Sequence, residues 1–182
     1  MLSPILRYGL IAGLIAGGVL SLTVAVFQET IPSGWGMAIG YTTMLIAFST
    51  IFVAVKKRRD EQGGGVIRFW PAFGLGLGIT LVASLIYSLA WEATLAATGM
   101  DFIGAYTRNL IAEKQAAGAS AQEIAKFTAE MAEMSASYAN PLYRVPMTMM
   151  EIFPVGILVS LIAAGLLRNP RFMPLRRDAA AL

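Results

Sequence analysis

Residues Tyr138 to Leu167 read YANPLYRVPMTMMEIFPVGILVSLIAAGLL, an apolar run interrupted by a single acid, Glu151, with Pro146 and Pro154 on either side of it. About 20 consecutive apolar residues in a helix cross a hydrocarbon core, so this stretch places the protein in a membrane. An ionisable group within such a run is costly and demands a partner or a role. Pro154 frees the carbonyl of Met150, which is expected to bend the helix beside Glu151.

Working outward, three more charge-poor runs of spanning length appear, giving spans at about 6–28, 37–55, 70–91 and 145–167. The 182 residues are 57% hydrophobic and 14% charged, outside the soluble globular range. The run from Tyr8 to Gln28 exceeds the apolar core of a secretory signal and is read as an uncleaved helix, with Thr23 and Ala25 leaving cleavage as the alternative. The chain has no cysteine and no histidine. Disulfides, thiol nucleophiles and the commonest acid–base and metal-binding side chain are thereby excluded. No cofactor or metal site is expected, and one intramembrane carboxylate without a second acid is a poor constellation for hydrolysis, so no enzyme is expected either.

Small residues recur at four-residue spacing: Gly9, Gly13 and Gly17 in the first span, Gly36 and Gly40 at the second, Gly74 and Gly78 in the third. Each set lies on one helical stripe and reads as a packing face rather than a phosphate loop, because no strand precedes it. The third span also carries Thr80, Ser84, Tyr87, Ser88 and Trp91 on one face, which is expected to point inward because lipid satisfies no polar group.

Between the second and third spans, KKRRDEQGGGVIR reads as a basic loop around a glycine turn at Gly63 to Gly65. Ten of the 14 basic residues fall on the side of this loop and both termini; the other four, Arg108, Lys114, Lys126 and Arg144, share their segment with six acids. The positive-inside rule then puts both termini in the cytoplasm. Anionic headgroups account for the basic residues without nucleic acid. The turn over Gln28 to Gly36 is expected outside, with Trp35 at the interface.

Glu92 to Tyr143 is too charged for the bilayer. Phe102, Ile103, Tyr106, Leu110 and Ile111 form a helical stripe ending at Gly118; Ser120 and Glu123 form a capping box. A second stripe, Ile124, Phe127, Met131, Met134 and Tyr138, runs until Asn140 and Pro141. The segment is therefore an amphipathic helical hairpin over about 101–138, either a lid on the bundle and headgroup layer or a partner-docking face.

Counting about 1.5 Å per residue from each helix end brings Glu151, Thr148, Tyr87, Ser84, Ser21 and one of Thr42 or Thr43 to one depth. Desolvation penalises a lone carboxylate there, so Glu151 is expected to be neutral and donating or paired with Arg144, seven residues and roughly 10 Å away on the same face. Two roles stay open for this layer: fixing helix register, or lining a ligand, ion or solute pathway.

The segments GYTTMLIAFSTIFVAVKKRRDE, GGVIRFWPAFGLGLGITLVASLIYSLAWE and SYANPLYRVPMTMMEIFPVGILVSLIAAGLL resemble the bacterial domain-of-unknown-function family 4199, over about Gly40 to Leu167. Tyr138-x-Asn140-Pro141 and Thr148-x-x-Glu151-x-x-Pro154-x-Gly156 carry the resemblance most specifically. It implies the same order of basic loop, third span, helical segment and fourth span, and no activity. The expected protein is all-α: an integral membrane four-helix bundle with an external hairpin between spans 3 and 4. Its expected role is that of a non-enzymatic accessory or scaffold, associating with itself, other membrane proteins or lipids. The alternative is a small transporter, channel or lipid-binding protein built on the layer around Glu151.

Overall fold

A computed structural model describes residues 2–27 and 33–174 as six helices: α1 Leu2–Phe27, α2 Ser33–Gln62, α3 Phe69–Thr98, α4 Phe102–Ala116, α5 Ala121–Tyr138 and α6 Pro141–Leu167. Helices α1, α2, α3 and α6 are each long and apolar enough to cross a membrane. At about 1.5 Å per residue they reach roughly 39 to 45 Å, beyond a hydrocarbon core of about 30 Å, so their ends enter the headgroup layers. α3 packs against α1 and α6, and α2 closes the bundle against both of them. The hairpin α4–α5 stands at one end of the bundle, and the basic segment between α2 and α3 lies at the other.

Two regular seams hold α3. Its seam with α1 is parallel and keeps one offset of 73 residues, visible in the hydrogen bond from Ser21 to Thr94. The same register places Ile5 at Gly78, Val82 at Gly9, Ile86 at Gly13 and Ala90 at Gly17. A Cβ on Gly13 would lie 2.5 Å from the Cβ of Ile86, so only glycine permits this approach. The stripe expected at Gly9, Gly13 and Gly17 is thus a close helix contact, and Gly78 joins it. Gly74 does not. A Cβ there would meet nothing within 4 Å among the described residues. Gly36 and Gly40 also depart from expectation: they line a gap of about 70 Å³ between α1 and α2, and a Cβ on Gly40 would meet nothing within 4 Å.

The seam with α6 is antiparallel and uses reciprocal notches. Thr80 fits against Gly156 and Ser160 against Gly76, with the two hydroxyls 3.3 Å apart. Thr80 and Ser160 are fully buried, and Phe48 and Ile51 of α2 close over the same layer. Dispersion between closely fitted surfaces, rather than expulsion of water, stabilises such contacts in lipid.

The basic segment is more helical than its charge suggested. Lys56–Asp60 at 2.5 Å and Lys57–Glu61 at 3.6 Å are i,i+4 pairs that carry α2 to Gln62. The helix ends in a turn where Gly63 and Gly65 both donate to the carbonyl of Arg59. Gly64 and Gly65 have φ of 57° and 92°, where a side chain would be strained. Arg59 is fully buried and donates to the carbonyls of Phe172 and Met173, fastening the residues after α6 to α2. The turn expected over 28–36 lies largely outside the described residues, and α2 already begins at Ser33. α6 begins at Pro141 rather than near 145, because the Asn140 side chain accepts from the amide of Leu142 and Pro141 suits the first helical position. Pro146 and Pro154 both lie inside it.

The hairpin follows its caps. Asp101 accepts from the amide of Gly104, and Ser120 and Glu123 make the reciprocal capping box. Gly118 closes α4 with φ of 82°. α4 and α5 pack mainly on each other, burying Ile103 and Met131.

Candidate functional site

At the hairpin end the four-helix packing opens into a groove of about 360 Å³. Leu20 and Val24 of α1 form one wall, Met147, Thr148 and Glu151 of α6 the other, and Tyr87 and Trp91 of α3 the floor. Phe102 and Tyr138, from the base of the hairpin, close its end. The lining is apolar and aromatic apart from a few polar groups, the usual make-up of a small-ligand site.

Glu151 is exposed on this wall. Its Oε1 accepts from the Tyr87 hydroxyl at 3.3 Å, a long and therefore weak hydrogen bond. Among the described residues no cation pairs with it. Arg144 does not reach it, so the Arg144-paired alternative is not realised, and Arg144 is instead engaged by Glu92: Nε donates to Oε1 at 2.6 Å and Nη2 to Oε2 at 2.5 Å. Nη1 donates to the Tyr138 carbonyl at 3.1 Å. The reason is directional, since helical side chains lean toward the helix N-terminus. Arg144 therefore points back toward Pro141 and the hairpin, away from Glu151, which lies further along the helix.

The hydroxyls expected around Glu151 are equally diverted. Ser84 donates to the Thr80 carbonyl at 2.8 Å and Thr148 to the Arg144 carbonyl at 3.0 Å. Ser21 bonds Thr94, Thr42 is exposed, and Thr43 lines the gap between α1 and α2. Hydroxyls in a helix readily satisfy themselves on carbonyls three or four residues back, which removes them from a shared layer. Only Tyr87 among the expected partners touches the acid.

Above the groove an aromatic clasp joins four helix ends. Trp91 Nε1 donates to the Tyr138 hydroxyl at 2.7 Å, and Phe102 meets Trp91 edge-on with centroids 5.0 Å apart. The Arg144 guanidinium lies 5.4 Å from the Tyr138 ring centroid. Burial pushes the Tyr138 phenol above its usual titration range, so it remains a neutral acceptor for Trp91. With the hairpin held at its base by this clasp, the groove has one fixed end.

The family described as "Protein of unknown function (DUF4199)" matches residues 7–169. The chain belongs to the DUF4199 family. No curated protein and no solved structure matches it. The region matched to DUF4199 takes in the bundle from Arg7 onward, the hairpin and every residue lining the groove.

Sequence reasoning missed three features of this DUF4199 site. Glu92 was read as the start of the polar segment rather than as the partner of Arg144, although both lie near the hairpin ends of their spans and carry opposite charge. Trp91 and Tyr138 were each noticed, but not as a bonded pair. Gly76 and Gly156, which notch the α3–α6 seam, do not appear among the expected packing glycines, unlike Gly74 and Gly78; the spacings Gly76-x-x-x-Thr80 and Gly156-x-x-x-Ser160 were the available signal.

Proposed function

We propose that the chain is a non-enzymatic accessory protein of the bacterial inner membrane that holds an amphiphile in the groove at Glu151. The bound molecule brings a cationic or hydrogen-bond-donating head to the carboxylate and an apolar body to Leu20, Val24 and Met147. One observation carries this reading: Arg144 is held by Glu92, which leaves Glu151 facing an apolar groove with one weak donor. An intramembrane acid in that state gains from a ligand that supplies charge or protons.

Binding has more support than conduction. Towards the basic end the α3–α6 seam is closed by fully buried Thr80 and Ser160, so the groove stops at mid-bundle. A scaffold role resting on glycine faces has less support, because Gly9, Gly13, Gly17 and Gly78 already meet neighbours within the chain. The basic residues at the end opposite the hairpin would hold both termini in the cytoplasm and the hairpin outside.

The test is binding of a long-chain primary amine, compared with the alcohol of the same length, to the full chain in lipid nanodiscs. A charge-assisted hydrogen bond contributes about 1.5–3 kcal/mol, roughly 10- to 100-fold in affinity. The amine is expected to bind more tightly than the alcohol by that factor, and Glu151→Gln to erase the difference without lowering the unfolding temperature. Equal binding of amine and alcohol to the unaltered protein would overturn the reading.

A further inference from the structure

At the opposite end of the bundle a second cavity, of about 220 Å³, lies between the start of α1 and the last turns of α2. Ser3, Arg7 and Tyr8 line it from α1, and Lys57, Arg58 and Glu61 from α2. The neighbouring cations are already engaged: Lys56 pairs with Asp60, and Arg59 with Asp60 and two carbonyls after α6. Lys57 has only a loose contact with Glu61, at 3.6 Å between exposed side chains. Arg58 is the anomaly. Its Nη1 is buried and finds no acceptor among the described residues. A guanidinium donor without an acceptor is costly, and an oxyanion bound in the cavity that Arg58 lines would offer one once the side chain turns toward it.

We infer that this cavity binds a phosphate-bearing group, either a phospholipid headgroup or free phosphate. Three cations, Arg7, Lys57 and Arg58, face one acid, Glu61, leaving a positive excess at a single small site. The cations come from two helices, which suits a tetrahedral oxyanion that accepts from several directions, and arginine matches phosphate oxygens in pairs. α1 starts at Leu2, so its first-turn amides lack helical acceptors at this end and add positive potential beside Ser3. The site lies at headgroup depth, and basic pockets between spans at that depth recognise lipid phosphates. Exposed Leu6 and Leu10 on α1 give acyl chains an apolar path away from the cavity.

The experiment uses the full chain in detergent micelles, with bound lipid counted by native mass spectrometry. Phosphatidylglycerol is compared with diacylglycerol of the same chains, which lacks the phosphate, and with inorganic phosphate as competitor. Phosphatidylglycerol is expected to bind at least 10-fold more tightly than diacylglycerol. Arg58→Gln and Arg7→Gln should each weaken it about 10-fold, while Arg68→Gln, on an exposed cation outside the cavity, leaves it unchanged. Arg7 is exposed, so its variant reports on binding even if Arg58→Gln fails to fold. Displacement by millimolar inorganic phosphate assigns the site to free phosphate; resistance to it assigns the site to the headgroup. Equal binding of the two lipids, or an equal loss in Arg68→Gln and Arg7→Gln, would overturn the inference, since binding would then owe nothing to the phosphate or nothing to this cavity.

Discussion

Replacing Arg144 distinguishes the observed pairing from the one its own helix suggests. The Arg144 and Glu92 side chains are 15% and 21% exposed and meet through two parallel bonds. Removing one partner of a fully buried pair costs about 3–5 kcal/mol, whereas exposed pairs contribute about 0–1 kcal/mol. At this burial Arg144→Gln should cost roughly 2–4 kcal/mol, because it strands the Glu92 carboxylate. That corresponds to a fall of roughly 5–15 °C in unfolding temperature for a chain of this length. Glu92→Gln should cost about 1 kcal/mol less, since Arg144 keeps the Tyr138 carbonyl and ring. The assay is a double-mutant cycle on the detergent-solubilised full chain, followed by thermal unfolding. Arg144 and Glu92 should show a coupling of about 1.5–3 kcal/mol, while the cycle of Arg144 with Glu151 should give less than about 0.5 kcal/mol. A strong Arg144–Glu151 coupling with an additive Arg144–Glu92 pair would refute both the side-chain argument and the open acid in the groove.

Two further outcomes follow from local geometry. Gly156→Ala would place a Cβ 2.3 Å from Thr80 Cγ2 and should cost about 1–3 kcal/mol by overpacking; adding Thr80→Ser should recover part of it, and Gly18→Ala, on an open face of α1, should be near neutral in the same unfolding assay. In the hairpin, the Ser120 backbone amide holds the Glu123 carboxyl below its ordinary range. A depressed folded-state value means this contribution is complete above the unfolded value of about 4.3 and is lost as pH falls through the folded one. An NMR titration should place the Glu123 midpoint below 4.3, and Ser120→Ala should move it back up.

The parts of this protein legible in its sequence are those whose geometry closes within one helix or one turn. Ser120 and Glu123 are three residues apart, so their reciprocal bonds depend on nothing beyond local backbone. Helix existence in the spans likewise follows from apolar length alone. The glycine stripe of α1 was half legible: Gly9, Gly13 and Gly17 announce a close contact, but Val82, Ile86 and Ala90 look like any apolar residues until the offset of α1 against α3 is known. That offset also sets Gly78 against Ile5. The unrealised pairing of Arg144 with Glu151, one of two alternatives the sequence leaves open, has a different origin. Counting residues along α6 correctly places Arg144 and Glu151 near one face, yet it treats a side chain as free to lean either way along the axis. The tilt of the Cα–Cβ bond toward the helix N-terminus is a property of every L-residue in a helix. A basic residue N-terminal to an acid on one helix leans away from it, so an acceptor on a neighbouring helix at the level of the N-terminal turns has the advantage. In this fold that acceptor is Glu92, and Glu151 is left facing the groove with Tyr87 because of the direction in which α6 runs.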